Sequence, residues 1–166
     1  VKFQLVKLDQ LCGNKLTVYS VIVNDDERTL FERFLGENRD EYQNELKSII
    51  DQLRVMATKT GAREQFFEKP EGKPGQDIWD LRDKPSRILR LYCMRMGQVV
   101  IILGGGGPKP KNIRTFQESP KLHHENELMR KVSDALTEKM RDRDINWTSD
   151  GIELEGDFIF GDPPKD

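Results

Sequence analysis

The 166-residue sequence contains no apolar run near the roughly 18 residues that a membrane span needs. No signal-peptide pattern stands at its start, so the expectation is a cytoplasmic protein with no membrane partner. Cysteine is scarce. Cys12 lies in a Cys-Gly-Asn turn and Cys93 in a strand-like run, at no spacing that suggests a zinc site or a disulfide framework, and both read as free thiols. Histidine is equally scarce: His123 and His124 precede Glu125 and Glu127 in an HHENE segment that lacks the spacing of an HExxH zinc site. They read as exposed residues in the first turn of a helix. No serine stands in a nucleophile-elbow context and Cys93 lies inside a strand, which leaves a hydrolytic triad unsupported. No metal and no cofactor is expected.

What the sequence does have is charge, unevenly spread. Hydrophobic residues make up 36% and charged residues 34%, the profile of a single domain with a polar surface. The net charge of −2 conceals an asymmetry. Between positions 81 and 121 the nine cations Arg82, Lys84, Arg87, Arg90, Arg95, Lys109, Lys111, Arg114 and Lys121 face only Asp83 and Glu118. After Arg141 the sign reverses, with eight acids against Arg143 and Lys165. A basic centre with an acidic tail suits an anionic partner, and equally suits two solvated faces of opposite sign.

The clearest structural signal is the stretch 87–111, RILRLYCMRMGQVVIILGGGGPKPK. Two β-rich runs meet across Met96-Gly97-Gln98, the pattern of an antiparallel hairpin. Alternation in the first run puts Ile88, Arg90, Tyr92 and Met94 on one face and Arg87, Leu89, Leu91, Cys93 and Arg95 on the other. The second run, 99–103, is continuously apolar and β-branched, as expected of a strand buried on both faces. It leads into four glycines and Pro-Lys-Pro-Lys, which read as a cationic loop. That loop fits neither a Walker P-loop, because GK followed by Ser or Thr is missing, nor a dinucleotide fold, because it follows a hairpin.

Residues 1–10 and 15–23 form a second plausible hairpin, and Asn24 with Glu27 reads as a capping box that opens a helix ending at Gly36. A further helix over 39–59 carries Tyr42, Leu46, Ile49, Ile50, Leu53 and Met56 on one stripe and ends at Gly61. Residues 62–76 read as a loop anchored by Phe66 and Phe67, and 78–82, IWDLR, as a short strand. Ser119-Pro120 opens a helix over 121–143, and 152–160 carries a weak strand pattern. The core order is thus strand, two helices, three strands, one helix. The fold expected is α+β: a small antiparallel sheet packed against two N-terminal helices and one C-terminal helix. One domain spans 1–144 with its core at 15–143, an N-terminal hairpin arm precedes that core, and 145–166 is an acidic extension. Because its charge opposes that of the central strands, the extension is expected to fold over them.

Arg82, Arg87, Arg90, Lys109 and Lys111 come from successive strands and the segment after them, so an antiparallel sheet can bring them together. Guanidinium and ammonium groups gathered there would bind phosphate and could stabilise a phosphorane-like transition state. Tyr92, on the face of Arg90, could stack on a base or move a proton.

The order of elements and four local motifs, IWDLR, RILRLYCMRMG, VVIILGGGG and SPKLHHENELMRKVSDAL, resemble the RelE/HigB superfamily of bacterial type II toxins, particularly its phage-derived branch. The resemblance covers about residues 16–143. It implies a RelE-like fold, an antitoxin partner, and metal-independent endoribonuclease cleavage of ribosome-bound mRNA, in which the 2′-OH attacks the neighbouring phosphate. Carried over by position, it implies Arg82, Arg90, Tyr92 and Lys109 as catalytic residues; Arg87, Lys111 and Arg114 of the basic stretch are the expected RNA-binding cations. The glycines stand where that branch has a His-Gly-Phe-like segment, and only Pro108-Lys109 stands where a lysine pair is expected. The alternative is a non-catalytic protein of the same fold that binds RNA or a protein partner.

Overall fold

The computed structural model describes residues 2–69, 78–110 and 119–161. Among them the chain forms strands β1 (Phe3–Lys7), β2 (Thr17–Val23), β3 (Phe67–Glu68), β4 (Ile78–Arg82), β5 (Leu89–Met96), β6 (Val100–Pro108), β7 (Ile145–Trp147), β8 (Leu154–Gly156) and β9 (Ile159–Phe160). Its helices are α1 (Leu30–Asn38), α2 (Gln43–Val55) and α3 (Pro120–Arg141). The class is α+β. The sheet is larger than expected, seven strands in the order β3-β4-β5-β6-β2-β1-β9, with β7 and β8 paired separately. It is also mixed. Strands β4, β5 and β6 are antiparallel in sequence, whereas β2 runs parallel to β6.

Both faces of the sheet are covered, as the continuously apolar run 99–103 suggests. On one face Val18, Leu91, Cys93, Ile101 and Leu103 pack against Phe31 and Phe34 of α1 and Ile49 and Leu53 of α2. On the other, Tyr19, Tyr92, Met94 and Ile102 pack against Leu122, Met129, Val132 and Leu136 of α3. A strand covered on both faces reads as mostly apolar, as β2 and β6 do, and β5 departs from this at its two buried arginines, Arg90 and Arg95. Strand β1, which precedes the expected core, is not an arm: it pairs with β2 and β9 in the sheet and buries Phe3 and Leu5 in the core.

The glycine run is not a loop. Gly104 to Gly107 continue β6, and all four are buried. Pairing with β5 runs Leu91↔Gly106 and then Cys93↔Leu103, so Gly104 and Gly105 together oppose Tyr92 in a β-bulge. The missing side chains have a steric reason. A Cβ on Gly104 would lie 2.6 Å from Sδ of Met129, one on Gly105 would collide with the carboxylate of Glu125, and one on Gly106 would collide with the backbone carbonyl of Arg90. The glycines thus let α3 settle directly onto the sheet, and let β5 and β6 stay paired through the bulge.

Two helix starts differ from expectation. The capping box is Thr29 with Glu32, whose side chains reciprocally bind backbone N–H groups at 3.1 Å, while Asn24 sits in a turn with φ 55°. Helix α1 passes through Gly36 to Asn38, and α2 begins at Gln43 rather than 39. At its end α2 loosens into a π-type turn over Met56–Thr60 and stops at Gly61, whose φ of 75° an L side chain rarely adopts. Helix α3 opens as the Ser-Pro pair suggests, with Ser119 as N-cap and Pro120 in its first turn.

The acidic segment takes a path opposite to the one its charge suggests. Strand β9 pairs with β1 at the sheet edge farthest from β3 and β4, so 145–161 does not lie over the basic strands. It is tied in by buried contacts: Thr17 Oγ1 donates to the Ile152 carbonyl at 2.7 Å, Leu154 N donates to Tyr19 Oη at 3.0 Å, and Ile145, Leu154 and Phe160 join the core. Its acids Glu153 and Asp157 pair with Lys7 and Lys139.

The two thiols are shielded by the same packing. Cys93 is fully buried, its Sγ 3.6 Å from the Trp79 carbonyl, and burial pushes its pKa well up; Cys12 is half-buried, accepts from Val18 N at 3.2 Å and is raised by burial as well. Because the thiolate is the reactive species, iodoacetamide at neutral pH should label the native protein slowly at both positions, and Cys93 only after denaturant is added. Mass mapping of the label checks this. Rapid native labelling of Cys93 would contradict its burial between β4 and the α1–α2 face.

Candidate functional site: an arginine and acid network at one end of the sheet

The antiparallel register of β4 and β5 sets Arg82 opposite Arg90 and Asp80 opposite Tyr92, all on the face that α3 covers. Arg82 donates to Asp80 from Nε at 2.6 Å and from Nη2 at 3.3 Å, and its Nη1 lies 3.1 Å from Oε2 of Glu68 on the edge strand β3. Oε1 of the same Glu68 meets Nη2 of Arg87. Two guanidiniums and two carboxylates therefore form one chain of contacts running from the sheet edge inward, with the Arg90 guanidinium behind it.

The turn that carries Arg87 is built for it. Asp83 is buried; its carbonyl accepts from Arg87 N at 3.0 Å and its Oδ1 accepts from Leu89 N at 2.6 Å. Arg87 itself sits at φ 59°, a left-handed conformation costly for a residue with a side chain.

Burial grades the network. Arg90 is only 6% exposed, and its Nε has no hydrogen-bond partner among the described residues. Desolvation, then the neighbouring Arg82 charge, pull its pKa down. Tyr92 is 0% exposed, between the sheet and α3. Burial, with the nearby Asp80 charge, holds its phenol far above the ordinary range, partly opposed by the charge of Arg90. On α3 the buried Glu125 and Asn126 face the same region, Glu125 linked to Lys121 at 3.3 Å.

Lys109 is at the same end of the sheet but in a different setting. Its backbone N donates to the Ile88 carbonyl at 2.9 Å, and it lines a small pocket of about 300 Å³ with Tyr42, Ile88, Pro108 and Pro110. Lys111 and Arg114 lie outside the described residues. Arg95, at the opposite end of β5, serves the fold instead. Its Nε and Nη2 donate to the Ala62 carbonyl at 2.9 and 2.6 Å, and the guanidinium stacks on Phe67 and Trp79. The structure thus gathers Arg82, Arg87 and Arg90, brings Lys109 to the same end, and places Tyr92 beneath them in the core.

Three acids in this network escape sequence reasoning. Asp80 carries a signal, since two residues before Arg82 on one strand it must share that face. Glu68 and Asp83 carry none, because their roles depend on which edge pairs with β4 and on how the turn closes. Among the described residues no group of three or more His, Cys, Asp or Glu side chains is placed to hold a metal ion, and no helix is long and apolar enough to cross a membrane.

Fold and network together define a mixed-sheet α+β domain, helices on both faces, with a graded arginine and acid cluster at one end of its antiparallel strands. Compared with protein-family models, curated proteins and solved structures, the chain has no match to any of them.

Proposed function

We propose that this chain is the toxin component of a type II toxin–antitoxin pair, directed at mRNA, and that RNA phosphodiesters meet it where Arg82, Arg87, Arg90 and Lys109 gather. The observation that carries this reading is the register pair Arg82↔Arg90 with Arg87 joined to it, a convergence of guanidiniums at one sheet end. Planar guanidinium forks suit the paired oxygens of a phosphodiester, and a sheet holds them in fixed positions. The element order of residues 17–141 supports it too, with one strand, two helices, four consecutively paired strands of which the first, β3, has only two residues, and a closing helix.

Expression in a bacterium without its antitoxin should arrest growth and cleave mRNA, and Arg87→Ala with Lys109→Ala should relieve both. These two side chains are chosen because neither is fully buried, so their loss tests the surface rather than the fold. Continued growth with intact mRNA, from a protein that accumulates folded, would remove the endoribonuclease reading.

A second reading is a non-catalytic RNA-binding member of the same class. Burial of Tyr92 favours it, because a phenol that stays protonated beneath α3 is out of reach of a substrate. RNA retained in a salt-sensitive way without cleavage is the outcome that selects it.

A further inference from the structure

We infer that Glu68 is a resident competitor for a phosphate subsite made by Arg82 and Arg87, so that an RNA phosphodiester binds there by displacing its carboxylate. This rests on the RNA-directed reading above and adds a control to it.

The two oxygens of Glu68 are divided between two guanidiniums, Oε2 on Arg82 and Oε1 on Arg87. That is the arrangement two non-bridging phosphate oxygens would take. The two acids on Arg82 differ in kind. Asp80 is 2% exposed and makes two hydrogen bonds to Arg82, so it is a fixed counter-charge that keeps a largely buried cation tolerable. Glu68 is 38% exposed and stands on a two-residue edge strand, where a rotation of its side chain into water frees both arginines without disturbing a strand pair. An exposed ion pair of this sort is weak and screened by salt, and a multiply charged ligand can outcompete it.

The second line of support is the backbone of Arg87. Its left-handed φ of 59° is held by Asp83 on both sides of the turn, and it aims Arg87 at the place where Glu68 meets it. Such a conformation persists only where surrounding structure enforces it. An ion pair between two exposed side chains would not need it; a subsite that must present Arg87 beside Arg82 would. Behind them lies the charge of Arg90, whose Nε has no hydrogen-bond partner among the described residues and which shares the counter-charge of Asp80 with Arg82.

The test compares wild type with Glu68→Gln and Glu68→Asp, each first shown to melt as the wild type does. Binding of a short single-stranded RNA and of inorganic tripolyphosphate is measured across a salt series. Glu68→Gln removes the competing charge and should bind both probes about fivefold more tightly, with the slope of log K against log salt steeper by about 0.7. Glu68→Asp keeps the charge but cannot span both arginines, and should fall between the two. Equal RNA affinity in wild type and Glu68→Gln overturns the competitor role and leaves the RNA reading standing, and weaker binding by Glu68→Gln overturns it in favour of an orienting role. If tripolyphosphate binds Glu68→Gln more tightly while no variant binds RNA, the subsite stands and the RNA reading falls. If neither probe binds any variant, both fall.

Discussion

Gly106→Ala is expected to destabilise the protein by about 3 kcal/mol, near the upper end for an overpacked core. The added Cβ would collide with the carbonyl oxygen of Arg90, and a backbone atom inside a paired strand cannot rotate away as a side chain can. Relief requires β5 and β6 to separate beside the bulge, in the middle of the sheet. Two neighbours calibrate the effect. Gly104→Ala meets Cγ and Sδ of Met129 at 2.6 Å, the flexible part of a long side chain, and should lose about 1–2 kcal/mol as Met129 repacks. Gly107→Ala finds nothing closer than Cε of Lys121 at 3.7 Å and should change stability by less than about 0.5 kcal/mol. Urea midpoints for the three variants measure the series. A flexible glycine loop would give three small and similar values; that pattern would reject the placement of these glycines in β6.

The glycine run also shows where the sequence stops being informative. Strand β5 and the first half of β6 are legible because apolar β-branched residues and alternation are local signals. A run of glycines carries no such signal, and its default meaning is a loop; what makes it a strand here is the approach of α3, through Met129 and Glu125, which no local window contains. The start of α1 is ambiguous for a different reason. Asn24 with Glu27 and Thr29 with Glu32 have the same capping spacing, and the buried stripe that begins at Leu30 chooses the second. The path of the acidic tail is illegible because strands of two or three residues are too short for periodicity, and long-range charge is a poor guide beside buried hydrogen bonds such as that from Leu154 to Tyr19. Of the site, the Arg82, Arg90 and Tyr92 face is readable from alternation, as is their convergence. The depth of Arg90 and Tyr92 is not; for Tyr92 it follows from the same glycines, since without Cβ atoms at Gly104 and Gly105 helix α3 lies directly against the sheet that carries it. One packing decision thus sets both the fold and what the basic end can do.

Asp80→Asn should be the most damaging change within the arginine network, with a loss of about 2 kcal/mol at neutral pH. The substitution preserves shape and removes only charge, so its effect isolates electrostatics. Asp80 is the buried counter-charge of Arg82 and lies opposite Tyr92, next to Arg90; without it, two largely buried guanidiniums face each other across the strand pair. Removing one partner of a fully buried pair costs about 3–5 kcal/mol, and the smaller value here reflects Arg82 keeping Glu68 and some contact with water. A simple loss of stability is not the sharpest check. If the penalty arises from uncompensated positive charge, Arg82→Gln in the Asp80→Asn background should restore part of it, giving a coupling of about 1 kcal/mol or more in a double-mutant cycle followed by urea denaturation. Additive losses would mean that the charge of Asp80 acts through a group other than Arg82, such as Arg90. Recovery would show that the cluster is held near its limit of positive charge by its acids, the condition under which displacing the exposed one, Glu68, changes affinity for an anion while the buried one maintains the fold.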